Sequence, residues 1–352
     1  MTSLERIGAT VQFQEPDRVP CVPLIGGASR RVYGVTYEEW AQDGELAAKC
    51  QIQAQELIGY DGIVAFLDLA VEAADFGQEV VYPMENTPGP NYNSPIIKTP
   101  DDYSKLVRFD PTRGHRTRQV LRYAEILMNE LGSSVPVMGL CYGPLGILEM
   151  LRSAEKLFMD CIKHKEAVIQ GLEIVTDVLV DFIKAQAKTG VHAIILTTLF
   201  AANSIMSKKL WMETEGLFVR RLADTIRACG PMVVVHNCAE GPYFDVMIET
   251  MNPVILSVAN KAHDCKDWME VKKKWGSKVC LYGYVDPANT LYLGTPDQVR
   301  KECQKEIEEL GEGGGFILGP GCEFPPNASL LSAVAMMDAA KLYGQYNKTR
   351  AA

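Results

Sequence analysis

Eight short apolar runs, each separated from the next by a stretch long enough to hold a helix, leave this chain few folds to choose from. They lie at residues 19–24, 62–66, 135–140, 193–196, 232–235, 254–258, 279–283 and 315–318. The runs are continuous rather than alternating, and rich in valine and isoleucine. That is the pattern of parallel strands covered on both faces. Between them, residues 145–188 have room for two helices, with apolar residues at helical spacing over 166–187, and 207–229, 296–310 and 328–343 read likewise. The stretch 296–310 opens with Thr295, Pro296 and Asp297, a cap followed by proline in the first turn. Eight strands alternating with helices predict a closed α/β barrel, the (β/α)8 or TIM barrel, with an open doubly wound sheet as the alternative. Residues 1–352 are then one barrel domain with an N-terminal extension. The proline- and glycine-rich excursion 78–110 is expected to cap the barrel mouth, where such insertions usually serve a substrate.

The chain carries 35 basic and 44 acidic side chains, a net charge of −9, and no basic run. A nucleic-acid partner is therefore excluded, because phosphate contacts need clustered lysine and arginine. No window approaches about 18 uninterrupted apolar residues, so no membrane span is expected. Residues 1–6 lack the apolar centre of a signal peptide, and a cytoplasmic location follows. In that reducing compartment the ten cysteines are to be read as core residues or as chemistry.

In a barrel the chemistry sits where strands end and loops begin. Two thiols stand there. Val233, Val234 and Val235 run into His236, Asn237 and Cys238, and alternate side chains of an extended chain point to one face, so one ion can receive both His236 and Cys238. The eighth run, 315–318, is followed by Gly319, Pro320, Gly321 and Cys322. Two thiolates and an imidazole with a fourth position open make a catalytic zinc site, and sulfur ligands favour zinc over harder ions. By spacing alone the same residues also suit two buried thiols and a hydrogen-bonded core imidazole. Cys21, Cys50, Cys141, Cys161, Cys229, Cys265, Cys280 and Cys303 lack a comparable strand-end partner and are read as core or surface thiols. Asp68 and Glu72 follow the second run, and Asp68 is placed to look into the mouth, although carboxylates in such loops are more often helix caps. Glu240 and Glu323 flank the proposed ligands, where they would support the metal or supply a fourth ligand. The glycines of 311–315 precede a strand, whereas phosphate-cradling loops follow one.

The chain resembles the uroporphyrinogen decarboxylase superfamily from about Leu4 to Tyr343. The resemblance is carried by residues 15–20 (Glu-Pro-Asp-Arg-Val-Pro) and by Phe66, Leu67 and Asp68 through Phe76 and Gly77. Gly143, Pro144 and Leu145 after the third run continue it, as do Gly283, Tyr284, Val285, Asp286 and Pro287 after the seventh. It implies a (β/α)8 barrel, in agreement with the strand count. Two departures select the branch. The decarboxylases carry an N-terminal arginine-rich segment, to which Ser29, Arg30 and Arg31 do not correspond, and a Gly-His-Gly where this chain reads Gly319, Pro320 and Gly321. His236, Cys238 and Cys322 instead resemble the metal signature of the family's corrinoid-dependent methyltransferases.

That resemblance implies Zn2+ as cofactor and a corrinoid (cobalamin) supplied by a separate corrinoid protein docking transiently at the mouth. No Asp-x-His-x-x-Gly loop is present to hold cobalt in this chain. Two activities follow from it. One moves a methyl group from an aryl methyl ether to the cobalt(I) of the corrinoid protein, as in anaerobic O-demethylases, with a small-molecule methyl donor in the barrel. The other moves it from a methylated corrinoid protein to a thiol such as coenzyme M. Thiol-methylating members typically have glycine directly after the His-x-Cys pair, where this chain has Ala239 and Glu240. Tyr92, Asn93 and Phe324, expected near the mouth, suit an aromatic substrate, so the ether reading is preferred. Asp68 would orient substrate or donate a proton, and Glu240 would tune the metal.

Overall fold

The computed structural model describes residues 1–84 and 86–346. Its strands are β1 (Ile63–Ala65), β2 (Val80–Val81), β3 (Gly89–Pro90), β4 (Val137–Cys141), β5 (Ala193–Thr197), β6 (Met232–Asn237), β7 (Ile255–Val258), β8 (Cys280–Tyr282) and β9 (Phe316–Ile317). Seven of them form one parallel sheet in the order β1-β4-β5-β6-β7-β8-β9, and β2 pairs with β3 in a separate antiparallel hairpin. The first apolar run closes the ring. Cys21 bridges Leu318 in parallel, the Val22 amide donates to the Leu318 carbonyl at 2.9 Å, and the Asp61 amide donates to the Cys21 carbonyl at 2.8 Å. Seven of the eight expected strands are thus ladders, and residues 19–24 serve as a short staple between β9 and β1.

Continuous apolar strands sort into two cores here. Val22, Val64, Met138, Ile195, Val234, Ile255, Cys280 and Ile317 pack together inside the ring. The alternate residues Ile63, Val137, Ile194, Val233, Leu256, Leu281 and Phe316 pack with the surrounding helices. Both faces of each strand are buried, which is why the sequence shows no polar alternation. The N-terminal extension is the helix Ser3–Val11, opened by a capping box between Thr2 and Glu5. Its Ile7 joins the interior cluster, and its Leu4 amide donates to the Ser134 carbonyl just ahead of β4. The helix therefore seals the end of the barrel where strands begin.

The stretch 145–188 holds three helices rather than two: Pro144–Arg152, Ala154–Lys163 and Lys165–Lys188. The first break falls at Ser153, whose φ of +82° lies outside the right-handed helical region. The stretch 296–310 is helical over Pro296–Leu310 with Thr295 as its cap, as its proline predicts. The excursion 78–110 carries the β2–β3 hairpin and reaches over the mouth, where the Thr87 hydroxyl donates to Glu323 at 3.4 Å. The glycines of 311–315 lie at the sealed end, below β9, where Gly314 turns at a φ of +74° against the Gln14 carbonyl.

Candidate metal centre

The register sets one ring of side chains at the C-terminal ends of the strands. Thr197 of β5 pairs with His236 of β6, and His236 pairs with Ser257 of β7. His236 points inward and is 9 % exposed. Its Nδ1 shares a 3.0 Å hydrogen bond with the Ser257 hydroxyl, so Nε2 is the ring nitrogen left for another partner.

Asn237 turns outward and ties down the chain on which Cys238 sits. Its side-chain amide donates to the Thr198 carbonyl at 2.6 Å and the Ala201 carbonyl at 3.3 Å, and its oxygen accepts from the Ala239 amide at 2.9 Å. Cys238 then returns to the face of His236, as the two-residue period requires. Cys322 arrives through Gly319-Pro320-Gly321. A Cβ on Gly319 would stand 2.0 Å from the Tyr282 ring, and one on Gly321 would stand 2.7 Å from Ala259 Cα. Only glycines let the segment pass this close.

The donor atoms of His236, Cys238 and Cys322 lie within 4.8 Å of one another. A tetrahedral zinc ion with bonds of roughly 2.0–2.3 Å would hold such atoms about 3.3–3.8 Å apart, a contraction within reach of small side-chain rotations. One imidazole and two sulfurs are also the donor set that zinc prefers. The residues fit the ion. The hydrogen bond between the thiols holds Cys238 below the ordinary thiol range, and the same bond together with burial pushes Cys322 up. A cation beside them would remove both protons.

Above the triad lies a cavity of about 100 Å3. Leu24, Phe66, Leu69, Leu140, Tyr142, Ile195 and Leu199 make most of its wall, with Thr197, Ser257 and Glu323 beside the ligands. Among the described residues no lysine or arginine lines it. The Glu323 carboxylate faces Tyr37, whose hydroxyl donates at 3.3 Å, and burial pushes its carboxyl up to about 8.

The other residues singled out in the sequence lie elsewhere. Asp68 is buried in an ion pair with Arg116 and accepts from the Ala70 amide at 2.9 Å, so both its oxygens are occupied. Burial outweighs that pairing and raises its carboxyl. It anchors the loop after β1 and does not line the cavity. Glu240 is exposed on the turn beyond Cys238, outside the lining. Tyr92 is 48 % exposed and its hydroxyl donates to the Glu149 carboxylate at 2.9 Å. Asn93 is exposed beside it. Phe324 is fully buried in the outer core, because the chain turns after Glu323 and sends the next side chain away from the mouth. The aromatic groups that do line the cavity are Phe66 and Tyr142. Both are the kind of residue that the barrel rule picks out, at or just beyond a strand's C-terminal end.

The uroporphyrinogen decarboxylase (URO-D) family model matches residues 2–343. This chain belongs to that family. Methylcobamide:CoM methyltransferase MtbA of Methanosarcina acetivorans is 23% identical over 350 residues, covering 97% of this chain and 98% of its own. MtaA of Methanosarcina barkeri, also a methylcobamide:CoM methyltransferase, is 24% identical over 341 residues, covering 96% and 97%. A uroporphyrinogen decarboxylase of Chlorobaculum tepidum is 24% identical over 296 residues, covering 79% of each chain. Among solved structures, a methyltransferase from Methanosarcina mazei superposes with a TM-score of 0.81 at 22% identity, covering 97% of this chain and 98% of its own. The barrel expected from the strand count is the fold of this family.

Proposed function

We propose that this URO-D chain is a zinc- and corrinoid-dependent methyltransferase that takes a methyl group from an aryl methyl ether and passes it to a separate corrinoid protein at the barrel mouth. The observation that carries the reading is the juxtaposition of three zinc-type donors with an apolar, partly aromatic cavity. A zinc ion held here would supply Lewis-acid polarisation of the methyl-bearing heteroatom. His236, Cys238 and Cys322 would hold the ion, and Ser257 fixes the imidazole so that one nitrogen alone faces it. Leu24, Leu140, Ile195 and Leu199 keep water from the reacting bond, and Phe66 offers a ring face to an arene. The charge and motif content of the chain leave the corrinoid to the partner.

Methylation of a thiol such as coenzyme M is the second reading, favoured by the names of the relatives. Coenzyme M carries a sulfonate, however, and among the described residues no lysine or arginine lines the cavity to meet it. The deciding assay supplies reduced, cobalt(I) corrinoid with a methoxyarene, and separately a methylated corrinoid with coenzyme M. Cobalt methylation in the first alone is expected. Thiol methylation in the second alone would reverse the assignment.

A further inference from the structure

Tyr142 is the first residue beyond β4, and three features fix its ring above the metal triad. Its backbone amide donates to the Glu72 carboxylate at 3.0 Å. Its ring lies against Gly146, where a Cβ would come within 2.6 Å of Cε1, so the helix Pro144–Arg152 leaves room for it only as glycine at that position. The residue is 5 % exposed and lines the cavity with Cys238 and Cys322. A buried phenol normally finds a hydrogen-bond partner. Among the described residues, the hydroxyls of Tyr37, Tyr60, Tyr82, Tyr92, Tyr103 and Tyr123 each make one. None holds the Tyr142 hydroxyl. Burial keeps this phenol protonated, and the cavity wall that it shares with Cys238 and Cys322 sets it beside the ligands.

We infer that Tyr142 is a catalytic hydrogen-bond donor whose hydroxyl binds the oxygen that leaves when the methyl group is transferred. The inference rests on the ether reading above and names the group that receives the leaving atom. The methyl carbon–oxygen bond breaks with its electron pair staying on oxygen, and the partner's cobalt(I) supplies the pair that forms the new bond to carbon. The Tyr142 proton stays on its own oxygen and is shared in a hydrogen bond, so no further acid or base is required. The ring that carries the donor is buried and packed in place, and such a donor contributes most where negative charge develops on oxygen.

The test is Tyr142→Phe, which keeps the ring against Gly146 and removes only the hydroxyl. Zinc-loaded wild type and variant are compared at equal metal content and equal melting temperature. Rates are measured with anisole and with 4-nitroanisole, using cob(I)alamin as acceptor, and phenol binding is measured by calorimetry. The expected result is a loss of about 100-fold in kcat/KM on anisole, a clearly smaller loss on the better leaving group of 4-nitroanisole, and roughly tenfold weaker phenol binding. A purely structural role would slow both substrates alike. Equal rates and equal phenol affinity in an active wild type would overturn the inference. If wild type transfers no methyl group from either arene while phenol binding still weakens tenfold, the donor stands and the ether reading falls. If wild type neither binds phenol nor transfers, both fall.

Discussion

At the scale of single residues, the barrel mouth is organised by buried carboxyls that hold backbone rather than substrate. Glu72 accepts the Tyr142 amide, and Glu215 accepts the Leu145 amide at 3.2 Å, the Thr198 hydroxyl at 3.1 Å and the Trp211 indole at 2.8 Å. Burial raises both carboxyls to about 7. For Glu72 the consequence has a definite sign. Below its ordinary value of 4.5 the proton is bound in both folded and unfolded chains. Between about 4.5 and 7 only the unfolded chain releases it, so this group lowers stability as pH rises through that window, by about 3 kcal/mol in all. Above 7 the penalty is constant. Glu72→Gln, whose amide oxygen still accepts from Tyr142, should therefore differ little from wild type at pH 5. It should become the more stable protein by pH 8 in urea titrations. A gap that does not change with pH would contradict this account of Glu72. Asp68 shows the complementary case, in which a carboxylate that reads as a candidate acid is consumed by Arg116.

Among the elements, the strand-to-loop junctions decide the site. The β6 junction was legible from residue order alone, because the two-residue period of a strand makes His236 and Cys238 neighbours whatever surrounds them. The β9 junction was legible through Gly319, Pro320 and Gly321, although only the packed structure shows which ring and which backbone require the glycines. Gly319→Ala would drive a methyl group into Tyr282 and the Val22 carbonyl, at 2.0 and 2.7 Å. It should cost about 1–3 kcal/mol of stability and also weaken metal retention against a chelator, because Cys322 is carried by the same segment. Lost stability with unaltered metal retention would separate the two effects and contradict the proposed coupling. What could not be read was the direction of side chains on irregular chain. Tyr92 and Asn93 sit in a long excursion whose path depends on distant contacts, such as the Ile97 amide donating to the Leu151 carbonyl at 2.9 Å. Phe324 lies two residues from a ligand, and no strand period applies there to predict its facing. Tyr142 carried a readable signal, an aromatic residue one position past a strand.

Over the whole molecule, the two ends of the barrel have different tasks. The helix Ser3–Val11 fills the end where strands begin with Ile7, and the ligand triad stands at the opposite end under the excursion that brings Thr87 to Glu323. This division agrees with the general rule that barrel chemistry lies at the C-terminal ends of the strands. Among the described residues no helix is long and apolar enough to cross a membrane. The fold was legible because eight apolar runs with helical spacers admit few closures. The exception is the run 19–24, which makes too few ladder bonds to count as a full strand and still shuts the ring. Ten cysteines become one pair with a proposed task and eight without one, and that division is the central claim. Elemental analysis of protein purified with zinc present tests it most directly, with X-ray absorption to identify the donors. The account predicts one zinc per chain bound by two sulfurs and one imidazole nitrogen, and its loss in Cys322→Ala with the fold retained by circular dichroism. Wild-type protein that holds no stoichiometric zinc under those conditions would contradict it.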